Sequence, residues 1–241
     1  MFTELHNQIE FALRNLLRWR FPLGEKRVHE MAVSLQSELN SFIRQFNWSI
    51  VKFPSEKHID GPKSSPKASL RVADVGARTF VLAPVFERLF ADLGFPSEIH
   101  GIEVDAFRRF TNFRSRADYG HYYAKLVKHG EYHAMDFLKW TQDLDVIFLL
   151  HPFVTKEPLV QWGLPTRFFQ PDKLLAHCVS TLRNRRGRLL LSCPTEEEFE
   201  IATRLLVQNG MKLTERHDWH PEKENAKIQK QSRLGGMFIF D

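Results

Sequence analysis

Apolar residues recur at two different periods along the chain. In residues 3–20, Leu5, Ile9, Leu13, Leu16 and Leu17 follow helical spacing, and Pro22 and Gly24 end the pattern. Val28, Met31, Leu35, Leu39, Phe42, Ile43 and Phe46 then mark one face of a longer helix. Two such helices make an αα-hairpin that must bury its stripe. The expectation is a helical cap over residues 1–52 that packs on the main domain and also covers an active site. Pro54, Gly61, Pro62, Ser64, Ser65 and Pro66, with lysines between them, predict a linker at 53–69.

From Leu70 onward short apolar runs alternate with helical patterns. Strands are predicted at 70–75, 99–104, 131–136, 145–150 and 188–193, and near 211–217 and 236–240. A helix is expected from about Thr79 to Leu93, closed by Gly94. A mixed helical region covers 106–128. Another helix opens at Pro171, ends in Arg183, Asn184, Arg185 and Arg186, and is closed by Gly187. Thr195 with Glu198 reads as a capping box for a helix ending at Asn209-Gly210. The run 145–150 is almost wholly apolar, as in a parallel strand covered on both faces. This order predicts an α/β domain over 70–241 with a doubly wound, mostly parallel sheet. The last connection has little room for a crossover helix, so the final strand should be antiparallel.

Composition narrows the setting more than the chemistry. The chain has 241 residues and a net charge of +5. Residues 1–69 hold ten Lys/Arg and seven Asp/Glu, so the excess is spread along the chain. Such a balance permits an anionic partner such as nucleic acid without specifying one. Cys178 and Cys193 are too few for a disulfide framework and read as buried free thiols of a cytoplasmic protein. The opening residues lack the order of a signal peptide, and no apolar run approaches the ~18 residues of a membrane span.

The chemistry gathers at strand ends. Asp74 and Gly76 close the first strand, Glu103 and Asp105 the second, and Asp136 follows the third. Acid-tipped strands at one edge of an open sheet build a nucleotide crevice. The turn Asp74-Val75-Gly76-Ala77-Arg78-Thr79-Phe80 holds one glycine where a dinucleotide fingerprint needs three, and the phosphate loop of NTPases is absent. Structural duties compete for these acids: Asp74 or Asp105 could cap a helix, and Glu103 could be a solvated strand end. The connection from His151 to Phe169 contains Pro152, Phe153, Pro158, Trp162 and Pro165. It is expected to be a long shaped loop without structure of its own, walling the ligand edge. His151 is a candidate general base or a structural strand-end residue. Tyr119, His121, Tyr122 and Tyr123 either close the pocket or cover the sheet edge. Arg108 and Arg109 read as a solvated helix face. Metal binding is not expected, because His129 and His133 share spacing but lack a Cys pair or a His-Glu-x-x-His pattern.

Asp74-x-Gly76, Gly101-Ile102-Glu103, Asp136-Phe137 and the strand run ending in a proline-bearing loop together resemble class I S-adenosylmethionine-dependent methyltransferases, over residues 70–241. The resemblance implies a seven-stranded sheet in the order 3-2-1-4-5-7-6 with strand seven antiparallel. It implies S-adenosylmethionine as cofactor and methyl transfer to an acceptor it does not identify. Gly76, Ala77 and Arg78 would pass under the methionine portion after Asp74. Glu103 would hold the ribose hydroxyls, and Asp136 with Phe137 would meet the adenine. The family pattern has glycines where this chain has Arg78 and Phe80. That departure keeps a second reading open, a degenerate fold acting as a ligand-binding or scaffold module. A nucleotide-sugar or NAD enzyme is the third reading, opposed by the missing glycines.

Overall fold

Seven strands pair into one sheet in the computed structural model, which describes residues 36, 37, 39–48, 69–219 and 233–240. The strands are β1 (Leu70–Val75), β2 (Ser97–Ile102), β3 (Gly130–His133), β4 (Val146–Leu150), β5 (Arg188–Cys193), β6 (Lys212–Trp219) and β7 (Arg233–Ile239). Their spatial order is β3-β2-β1-β4-β5-β7-β6. β1 to β5 run parallel, and β7 runs antiparallel to both β5 and β6. This is the Rossmann-like order that the resemblance implies.

The helices are α1 (Ala83–Asp92), α2 (Arg116–Ala124), α3 (Lys156–Gln161), α4 (Pro171–Arg183) and α5 (Glu196–Gln208). They divide between the two sheet faces. α1 and α2 cover a cluster containing Val72, Phe86, Phe90, Phe148 and Tyr132. α4 and α5 cover one containing Ala73, Ile147, Leu175, Leu182, Leu191 and Phe199. Every residue of β5 is buried, so its apolar run needs no polar alternation. Cys178 and Cys193 are buried thiols, and burial pushes both above their ordinary pKa. No helix among the described residues is long and apolar enough to cross a membrane.

The helical segment ending at Ile43 belongs to the first cluster. Leu39, Phe42, Ile43 and Phe46 are buried, as the stripe predicts. Trp48 lies against Phe90 and Phe148, and its carbonyl accepts a hydrogen bond from buried Arg188 (3.1 Å). This described part of the cap is therefore core. The predicted first helix and nearly all of the linker lie outside the described residues.

Strand bounds shift by up to three residues from the sequence reading, β2 running Ser97–Ile102 and not 99–104, and β3 Gly130–His133 and not 131–136, and two further differences bear on the site. α1 begins at Ala83 and not at Thr79, because Arg78 and Phe80 hold positive φ (51° and 57°), which no right-handed helix admits. The connection after β4 is not structureless, since it folds into α3 and a 3₁₀ turn at Thr166–Phe168.

Gly101 is fixed by a close approach. A Cβ there would stand 2.5 Å from the ring of Phe80, which is fully buried. Gly101→Ala should therefore destabilise the fold by about 1–3 kcal/mol in urea denaturation. Combined with Phe80→Ala, it should cost less than the sum of the two single changes.

Candidate functional site

The parallel strands β1 to β4 all end at one edge, and the chain reverses direction there. β2 and β3 extend the sheet on one side of β1, while β4 lies on the other. A crevice opens at such a switch point. Gly76 and Ala77 both donate backbone N–H to the Ile102 carbonyl (2.9 and 3.1 Å), tying the first turn to the end of β2. Three alternate residues of this turn, Gly76, Arg78 and Phe80, have positive φ. The backbone is glycine-like although two of the residues are not glycine. A left-handed conformation costs about 1–2 kcal/mol for each non-glycine residue. Surrounding bonds over-determine it. Arg78 N–H donates to Glu103 Oε2 (2.8 Å), the Tyr132 hydroxyl donates to the Arg78 carbonyl (2.7 Å), and the Phe80 ring is seated on Gly101.

Glu103 is the hub of these contacts, and its residue exposure is only 4 %. Its Oε1 accepts the Asp105 N–H (2.7 Å) and lies 3.5 Å from Arg116 Nη1. Arg116 also pairs with Asp105 (3.2 Å). Glu103 is therefore not a solvated strand end. Arg116 stands in the first turn of α2, where the helix dipole is unfavourable for a cation, and the two carboxylates compensate it. That misplaced arginine is the sequence signal that could have exposed its role. Tyr132 gave no such signal, because only strand register brings it to the turn.

Asp74 is also buried, at 3 % exposure. Burial and then the charge of Glu103 push its carboxyl from 3.8 up to about 8. It lies within β1 and caps no helix. Asp105 is not a helix cap either: its side chain pairs with Arg108 and Arg116, and Ser115 with Asp118 forms the capping box of α2. Arg108 thus sits in a loop ion pair and not on a solvated helix face.

The outer side of the crevice is closed by stacking. The Arg78 guanidinium lies 4.5 Å from the Trp162 ring centre, and Arg116 lies 5.6 Å from it. Burial, and then Arg116, lower the Arg78 pKa, while Glu103 opposes them. Beyond this stack an open hollow of about 440 Å³ runs between Val104, Phe107 and Arg108 on one side and Leu164, Pro165 and Phe168 on the other. Phe107 is 74 % exposed.

The remaining candidates take separate places. Asp136 accepts the Leu138 N–H (3.0 Å) and so caps the short turn after β3. Phe137 is buried in the second cluster, edge-on to His177 at 5.0 Å. It is a core residue in this arrangement. His151 stands at the end of β4 with φ 58°, and its backbone N–H donates to the Ser192 carbonyl (2.7 Å). Tyr119 and Tyr123 are buried beside the sheet edge, Tyr119 receiving a hydrogen bond from Asn112 (2.7 Å).

No family model and no curated protein matches the chain. Several solved structures are similar to part of the chain. Magnesium protoporphyrin IX methyltransferase from Synechocystis, with bound SAM, is 14% identical, with 72% of this chain and 71% of that chain covered and a TM-score of 0.46. Precorrin-6y C5,15-methyltransferase from Geobacter metallireducens is 13% identical, covering 72% of this chain and 80% of that one at 0.46. TYW2 of M. jannaschii in complex with AdoMet is 14% identical, covering 72% and 70% at 0.45. Likeness at this level assigns neither a substrate nor an activity to this chain.

The raised pKa of Asp74 has a definite sign. Between about 4 and about 8 the native state holds a proton that the unfolded chain releases, so this group's stabilisation falls as pH rises through that window. Asp74→Asn removes the titration. Urea midpoints measured across that range should fall less steeply for Asp74→Asn than for the wild type.

Proposed function

We propose that the chain binds S-adenosylmethionine at the β1–β4 switch point and transfers its methyl group to an acceptor. The observation that carries this reading is the buried Glu103 carboxylate beside a turn that keeps positive φ at Gly76, Arg78 and Phe80. Each Glu103 oxygen accepts one backbone N–H, and a carboxylate oxygen can take a second hydrogen bond. Oε1 already takes Arg116 Nη1 as its second partner (3.5 Å), so Oε2 is the oxygen that supports a ribose hydroxyl in this reading. Asp136 caps a turn at the same edge, where the adenine would lie. The methionine end fits only when the Arg78–Trp162 stack parts.

When bound, the cofactor supplies an electrophilic methyl on a sulfonium. The chain's own part is to hold the acceptor in line and to exclude water. The hollow between Phe107 and Phe168 is the proposed approach for the acceptor. His151, at the same edge, is the proposed base for an acceptor that must lose a proton.

A second reading has its own support. Arg78 and Phe80 replace small residues, Phe80 fills the space over Gly101, and Trp162 covers the opening. These contacts suit a non-catalytic ligand-binding or scaffold module.

Calorimetry with S-adenosylhomocysteine separates the two. Glu103→Gln should weaken binding by about tenfold or more, since a bond to a charged group contributes roughly 1.5–3 kcal/mol and ~1.4 kcal/mol is tenfold. Arg78→Gly should bind at least as tightly as the wild type, because it relieves the left-handed backbone and unstacks Trp162. Thermal melts of the same samples separate lost binding from lost fold. If neither wild type nor Arg78→Gly takes up the ligand, the scaffold reading replaces the enzyme.

A further inference from the structure

We propose that His100, Glu131 and His133 form a binding site for one divalent transition-metal ion of the zinc class. The site lies on the sheet face that carries Ile102 and Trp140. It goes beyond the cofactor reading and does not depend on it.

Strand register assembles the three residues. β2 and β3 pair His100 with Glu131 and Ile102 with His133. Residues two apart on a strand share a face, so Glu131 and His133 point the same way as His100. Nδ1 of His100 lies 3.3 Å from Nε2 of His133. Oε2 of Glu131 lies 3.7 Å from the first nitrogen and 3.4 Å from the second. Ligands about 2.0–2.1 Å from a tetrahedral zinc stand about 3.3–3.4 Å apart. Two edges of the triangle already match, and the third needs a shift of a few tenths of an ångström.

A hydrogen bond between the two rings would explain the 3.3 Å contact alone. It would not explain the third vertex. The Glu131 side chain is 66% exposed, has water as an alternative partner, and still converges on both nitrogens. The Trp140 ring centre, 5.2 Å from His100 and 5.1 Å from His133, walls one side with apolar surface. Two imidazoles and one carboxylate suit zinc and its neighbours better than calcium or magnesium, and leave a fourth position for water. The ion would pin edge strand β3 to β2. It would also sit one hydrogen bond from the candidate crevice, because Glu103 N–H donates to the His133 carbonyl (3.0 Å).

The test uses the full chain, stripped with a chelator and titrated with Zn²⁺ against a chromophoric competitor, then with Co²⁺. One tight equivalent is expected, with the visible d–d absorption of a four-coordinate cobalt site. His133→Gln and Glu131→Gln should each weaken it at least about tenfold, since loss of even an outer-shell partner costs that much. His129→Gln should leave it unchanged. Zn²⁺ should raise the melting temperature of the wild type and not of Glu131→Gln. The exposed Glu131 can be changed without disturbing the core, so that variant reports on the site even if His133→Gln misfolds. A wild type without a tight equivalent, or an equivalent indifferent to Glu131→Gln, overturns the proposal. No adenosyl ligand is present, so the outcome is independent of the methyltransfer reading.

Discussion

A carboxylate removed from water must find partners, and Glu103 sets that requirement at the end of β2. Unpaired burial of a charge costs far more than any single cap or turn contributes. The fold answers with two backbone N–H donors and one buried arginine. Each partner fixes a different element. Arg78 N–H orients the first turn, Asp105 N–H bends the chain as it leaves β2, and Arg116 draws the start of α2 inward. The site's architecture follows from satisfying one negative charge.

The same charge explains two features that look unfavourable alone. Arg78 and Phe80 keep left-handed backbone at a cost of about 1–2 kcal/mol each. The conformation persists because releasing it would also release the Glu103 bond, the Tyr132 bond and the contact of Phe80 with Gly101. Asp74 on β1 holds its proton more tightly than a free carboxyl, since burial and then Glu103 push its pKa up to about 8. Local strain concentrated at a strand-end turn, held by the surrounding structure, is the usual physical signature of a functional position.

The two sheet faces serve different ends. On one face Phe86 stacks on Phe148 at 4.0 Å, and Phe42, in the helical segment ending at Ile43, and Phe46 just after it join the same cluster. Asp74 lies on that face, two residues after Val72 on β1. The other face packs α4 and α5 with aliphatic side chains, and at its β3 edge gives way to the histidine pair under Trp140. Rigid layers on both sides hold the crevice rim in place. The rim itself is made of the connections after β1, β2 and β4.

Local periodicity determined much of this. The alternation of apolar runs and helical stripes marked all seven strands, the two cysteines as core, and Leu39, Phe42, Ile43 and Phe46 as one buried face. Spacing placed Asp74, Glu103 and Asp136 at one sheet edge, because parallel strands joined by helices end on the same side. What spacing could not hold is which groups meet. Arg78 and Phe80 read as a broken glycine pattern, yet tertiary bonds impose the glycine-like backbone on them. Phe137 reads as a pocket residue and packs as core. His151–Phe169 reads as a loop and contains a helix, since a short apolar turn closed by Trp162 has too few residues to show a period. His100, Glu131 and His133 lie on two strands, and only cross-strand register brings them together. Periodicity is a property of neighbours along the chain; partners for a buried charge come from wherever the fold places them.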